Sequence, residues 1–144
     1  MKPILSLITA LLLLCAPLRA QDGLAINQAF RGDIVHREDM VEVRVKGQPI
    51  QKYGLTYYHS VAFKATKAQQ RQVEALVKTD QKAATGSETT LTNLRMTIIL
   101  QLPPKDSVNR FLCYISKTAK VILVYMEGQV DSIEELKKVI NGNN

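Results

Sequence analysis

The chain predicts an α+β fold: a two-layer sandwich built on a mostly antiparallel sheet of about five strands, with helices packed mainly on one face. Three observations predict it. Several runs carry apolar residues at every second position, the spacing of a half-buried strand. One long helical stripe, opened by a capping pair, separates the first strands from the later ones. Only a four-residue link joins the last two strands, which makes them a hairpin.

Taken in order, Leu24 to Phe30 places Ile26, Ala29 and Phe30 on one side of a short helix closed by Gly32. Val41-Glu42-Val43-Arg44-Val45-Lys46 alternates valine with charge and predicts a strand with its valines inward and charges outward. Gly47-Gln48-Pro49 is turn chemistry. Leu55 to Lys64 alternates again, with Leu55, Tyr57, His59, Val61 and Phe63 on one face. Thr66 and Gln69 form a capping box, so a helix starts at Lys67 and runs to about Ala84, with Gly86 as its C-terminal cap. Ser87 to Thr90 predicts a polar loop, and Leu94, Met96, Ile98, Leu100 and Leu102 a strand that Pro103-Pro104 ends. A strand–helix–strand unit over 55–102 predicts those two strands parallel, with another between them. Arg110 to Ser116 and the wholly apolar Val121 to Met126 form the terminal hairpin, the second of them buried on both faces or central in the sheet. Ser132 and Glu135 open a short final helix that Gly142 closes.

The first twenty residues form a separate unit. Met1-Lys2-Pro3, an uncharged apolar run from Ile4 to Ala16, and Pro17-Leu18-Arg19-Ala20 describe a secretory signal peptide cleaved after Ala20. Residues 21–144 then form a single domain, periplasmic or secreted. The run is shorter than the ~20 residues of a membrane-spanning helix, and no later stretch is long enough to cross a bilayer. Acylation of Cys15 is disfavoured because Leu14, the residue before it, is not small. Loss of Lys2 and Arg19 lowers the charge from +6 to 17 − 13 = +4, spread along the chain rather than gathered in the stripe of a nucleic-acid binder. Cys113 alone remains, so no internal disulfide forms.

Several stretches carry a family resemblance: Val41–Gly47 leading to Leu55-Thr56-Tyr57-Tyr58-His59-Ser60, then Leu76-Val77-Lys78-Thr79-Asp80, Asn109-Arg110-Phe111-Leu112-Cys113-Tyr114, and Tyr125-Met126-Glu127-Gly128 running into Ile133-Glu134-Glu135-Leu136. They resemble a family of short exported proteins of unknown function, common in Bacteroidetes-type bacteria. The resemblance implies an export signal and a small α+β domain; it implies no activity and no catalytic residue.

Asp80 is the sharpest anomaly, because helical geometry sets its carboxylate in the middle of the apolar face made by Val73, Leu76 and Val77. A buried carboxylate needs donors or must be protonated. It acts either as a fastener to another element, with Arg110 and then His59 as candidate partners, or as a general acid/base or ligand anchor. A Cys113–His59–Asp80 nucleophile site is available in composition, but no local nucleophile signature surrounds Cys113. Tyr57, Tyr58 and His59 include potential haem ligands, yet an amphipathic strand explains them better. The two histidines, His36 and His59, belong to no metal-binding spacing, so neither a metal nor a cofactor is expected. Lys67, Arg71, Lys78 and Lys82 make a basic helix face, ordinarily solvated and otherwise a surface for an anionic partner. The sequence therefore favours a non-enzymatic module that binds an unknown protein or small ligand. Its alternative is a small hydrolase or transferase using Asp80 and His59 in a cleft.

Overall fold

A computed structural model describes residues 20–142; the apolar leader with Cys15 lies outside them. Six strands form one fully antiparallel sheet: β1 (Met40–Lys46), β2 (Leu55–Lys64), β3 (Gly86–Leu91), β4 (Arg95–Lys105), β5 (Val108–Lys117) and β6 (Lys120–Gly128). Their spatial order is β1-β2-β6-β5-β4-β3. Four helices accompany them: α1 (Asn27–Phe30), α2 (Gln48–Gln51), α3 (Lys67–Gln81) and α4 (Ile133–Asn141). The β1–β2 hairpin leads into α3, which carries the chain to the far edge. The β3–β4–β5–β6 meander then returns until β6 closes on β2. Strand β6, with its apolar stretch Val121–Met126, sits between β2 and β5; its first-face residues Val121, Leu123 and Tyr125 are fully buried, whereas Ile122 and Val124 on the other face are half-buried.

Side chains alternate between two faces. The first face buries Val61, Phe63, Leu100, Leu112, Leu123 and Tyr125 beneath α3 and the N-terminal segment with Ile26, Ala29 and Phe30. The second face carries Ile99, Phe111, Cys113 and Met126, with Leu136 of α4 packed against them. Helices therefore lie on both faces of a six-stranded sheet, one strand and one layer more than the alternation predicts. The Thr66–Gln69 capping box is present in both directions, with Gln69 N–H to Thr66 Oγ1 at 3.2 Å and Thr66 N–H to Gln69 Oε1 at 2.9 Å. Ser132 caps α4 by accepting from Glu135 N–H at 3.1 Å.

Six local expectations are corrected. The polar stretch at 87–90 is strand β3, which hydrogen-bonds along β4, and α3 ends at Gln81 with Gly86 opening that strand. An edge strand open to solvent needs no apolar alternation, which is why its composition resembles a loop. The extra strand reverses the chain once more, so β4 runs antiparallel to β2 with β6 and β5 between them. Pro103 and Pro104 lie inside β4, where the register with β5 shifts between Leu102 and Lys105; a bulge is where proline fits a sheet. Leu55 departs from the Tyr57–Phe63 face because β2 holds one extra residue against β6 between Leu55 and Tyr57. Finally, Val41 and Val43 are 69% and 44% exposed, so the β1 valines do not point into the core. Glu42 and Arg44 instead share the first face with their cross-strand neighbours Val61 and His59.

Candidate functional site

The buried polar side chains gather on the first face, where the N-terminal segment meets the sheet. Between residues 21 and 29 the backbone winds through successive turns: Leu24 N–H bonds Gln21 O, and Asn27 N–H bonds Leu24 O. The N–H groups of Ala25 and Ile26 fall between these bonds. They donate to Asp80 Oδ1 at 2.8 Å and Oδ2 at 2.9 Å. Asp80 thus supplies from α3 the acceptors that a helix start otherwise takes from its own cap residue. It is 8% exposed, and both of its oxygens are committed to backbone donors. Neither Arg110 nor His59 is its partner.

His59 is 1% exposed and lies 4.8 Å from the ring of Phe30, centroid to centroid. Its Nδ1 is 3.1 Å from Gln21 Oε1 and its Nε2 3.2 Å from Glu42 Oε2. A carboxylate only accepts, so Nε2 carries the hydrogen toward Glu42. Burial pushes the Glu42 carboxyl up, but the His59 hydrogen bond and the charges of Arg44, His59 and Arg37 together hold it below its ordinary value. Gln21 is also bound, its Nε2 donating to Asn27 Oδ1 at 3.3 Å. The cluster pins the N-terminal segment over β1 and β2.

Arg110 sits farther along the same face, its Nε donating to Pro103 O at 2.8 Å. Nearby, Tyr125 donates to Glu127 Oε1 at 2.8 Å. Burial, together with the Glu127 hydrogen bond and charge, raises the Tyr125 hydroxyl pKa, so it stays a donor. Lys67, Arg71 and Lys78 on α3 and Lys82 just past its end are all exposed, and Lys78 pairs with Glu74 at 3.0 Å. Among the described residues no group of three or more His, Cys, Asp or Glu side chains is placed to hold a metal. No described helix is long and apolar enough to cross a membrane.

The second face holds a groove of about 790 Å³. Its floor is the sheet itself, where Tyr58, Val124, Cys113 and Ile99 come from four different strands. One wall is the α2 end, with Ile50 and Tyr53; the other is α4, with Lys137, Val139 and Ile140. Glu88, Thr90 and Arg95 stand at the rim, where Lys137 Nζ meets Glu88 Oε1 at 2.6 Å. The volume lies within the ~300–1,000 Å³ range of small-molecule sites. Burial pushes the Cys113 thiol up to about 11, although the Arg95 charge opposes it. The thiol is therefore protonated near neutral pH and is a poor nucleophile.

Sequence reasoning placed Asp80, His59 and Arg110 on the first face; it weighed Cys113 and Tyr58, which lie on the floor of this groove, but did not predict the groove itself. Its floor forms by cross-strand register, with Ile99 opposite Cys113 and Cys113 opposite Val124, and no short stretch of sequence contains it. The one available signal was β6, whose apolar residues face both ways.

A family model described as "Family of unknown function (DUF6108)" matches residues 13–140. No curated protein and no solved structure matches the chain.

Proposed function

Because the chain belongs to this family of unknown function, whose description carries no activity, we propose from the geometry that it is an exported, non-enzymatic binding module whose second-face groove takes an apolar small ligand. The observation that carries this reading is the groove: an apolar floor spanning four strands, left open between α2 and α4. A sheet face with no ligand to hold is ordinarily closed by the helices beside it, since apolar area left in water forgoes ~25 cal/mol per Å². The polar side chains support the same reading. Asp80 spends both oxygens on backbone N–H groups, and His59 is enclosed. An acid/base pair for a hydrolase needs reacting atoms that a substrate can reach. Export rests on the leader pattern and gives a mature chain that begins at Gln21.

Titration with Nile red, a neutral apolar dye, tests binding. Saturable one-to-one fluorescence enhancement is expected, and Thr97→Arg on the groove floor is expected to abolish it without lowering the melting temperature by more than a few degrees. Non-saturable enhancement, or enhancement unaffected by Thr97→Arg, overturns the assignment. Export is tested by the intact mass of protein recovered from the periplasmic and culture fractions, which should begin at Gln21.

A further inference from the structure

The strand register sets four cations side by side at one end of the second face. Lys64 pairs with Lys120, Lys120 with Lys117, and Lys117 with Arg95. Two residues along each strand lie Ala62, Ile122, Ile115 and Thr97; Ile115 and Thr97 line the groove, so the Lys117–Arg95 half of the row borders its floor and Lys120 stands next to it. All four cations are exposed. Among the described residues none of them has a carboxylate within ion-pair distance. Like charges directly opposite one another destabilise a sheet, and here three such pairs run in succession. An anion seated against the row relieves that repulsion. Arg95 belongs to both features, standing in the row and at the mouth of the groove.

We infer that the groove takes a single-chain amphiphile with an anionic head. The apolar tail lies over Ile115, Val124 and Cys113, and the head sits against Arg95, Lys117 and Lys120. This rests on the binding-module reading and adds the ligand's chemical class. A neutral ligand leaves the row uncompensated, and a purely ionic one leaves the groove floor in water; an amphiphile satisfies both. The molecule is bound as a monomer, because the floor lies recessed between α2 and α4 rather than raised on a flat surface.

The test is calorimetric titration of the purified, delipidated protein with octanoate, decanoate and dodecanoate below their micellar concentrations, and with dodecanol as the uncharged match. One-to-one binding is expected, tightening about fourfold per added methylene, with dodecanoate at least tenfold tighter than dodecanol. The double variant Lys117→Glu, Lys120→Glu is expected to melt no lower than the parent, to lose at least tenfold in dodecanoate affinity, and to bind dodecanol unchanged. Alkylation of Cys113 by N-ethylmaleimide is expected to slow when dodecanoate is bound. Equal affinity for dodecanoate and dodecanol, unmoved by the double variant, overturns the anionic-head assignment and leaves the groove a binding site. Absence of binding by both compounds, with no Nile red saturation, overturns the groove as well. Binding to phosphatidylglycerol vesicles or to an acidic peptide, without one-to-one binding of monomeric dodecanoate, overturns the inference in favour of a surface-docking role.

Discussion

Leu123 and Ile122 are neighbours on β6, yet the sheet treats them differently. Leu123 points to the first face and is fully buried beneath α3 and the N-terminal segment. Ile122 points to the second face and is only half-buried. The same contrast holds for the polar groups. On the first face, buried polar side chains have bonded partners: Asp80 with backbone, His59 with Gln21 and Glu42. On the second, four cations stand in a row with no acidic partner among the described residues. The first face is fastened by bonded polar groups and keeps a concavity of about 500 Å³ beside Gln21, Tyr57 and Tyr125, whereas the second is left with an open apolar groove and a cationic row. That division separates the residues that hold the molecule together from those free to serve a ligand.

The largest effect that sharpens this division comes from the paired truncations. Leu123→Ala is expected to cost about 4 kcal/mol, because a closed site cannot collapse around the cavity. Ile122→Ala is expected to cost about 1 kcal/mol, as at a site already partly open to water. Urea denaturation of both variants measures the difference. Equal costs break the comparison, because they require the second face to be as tightly packed as the first.

Asp80→Asn comes next. Its amide oxygen can accept from one of Ala25 and Ile26, but its NH₂ group faces the other donor, leaving a buried N–H unsatisfied. A loss of about 2 kcal/mol is expected, with hydrogen exchange accelerated first at residues 24–30. A variant as stable as the parent would show that the N-terminal segment is held without Asp80.

How much of this was legible beforehand follows the same division. The fastened face repeats local rules: the Thr66–Gln69 box set the start of α3, and the Asp80 anomaly stood out against the helical stripe because one helix period contains the comparison. The second face depends on register, which no local window carries. Strand β3 was hidden because Gly86-Ser87-Glu88-Thr89-Thr90 is polar, as an exposed edge allows. The β1 valines misled because strict alternation says which residues share a face but not which face is covered; the Glu42–His59 hydrogen bond settles that. The row of cations requires three strand pairings to be known before it exists at all.

A smaller, pH-dependent effect tests the polar cluster of the fastened face. The Glu42 carboxyl is held below 4.5 in the folded protein, so its contribution is complete above that pH and is lost as pH falls through the lowered value. Glu42→Gln is expected to be less stable than the parent by under about 1 kcal/mol at pH 7, since the group is partly exposed. The gap is expected to close as the pH falls through that lowered value. Denaturation curves taken from pH 7 down through the acid range measure it, and a gap that stays constant throughout would assign the effect to packing rather than charge.

The smallest effect has the opposite sign, and it is the one that distinguishes an open face from a badly packed one. Lys120 lies opposite Lys64 on one side and Lys117 on the other. Lys120→Glu turns two repulsive cross-strand pairs into attractive ones and is expected to stabilise by about 0.5 kcal/mol. Salt provides an independent check: because the repulsion is between exposed charges, raising ionic strength screens it. The parent is therefore expected to gain melting temperature between low and high salt, and Lys120→Glu to gain less or to lose. If instead the variant is less stable than the parent at low salt, the row is not repulsive and needs no anion. If it is more stable, the chain holds at this position a residue that folding alone disfavours, which is what a surface kept for a negatively charged ligand requires.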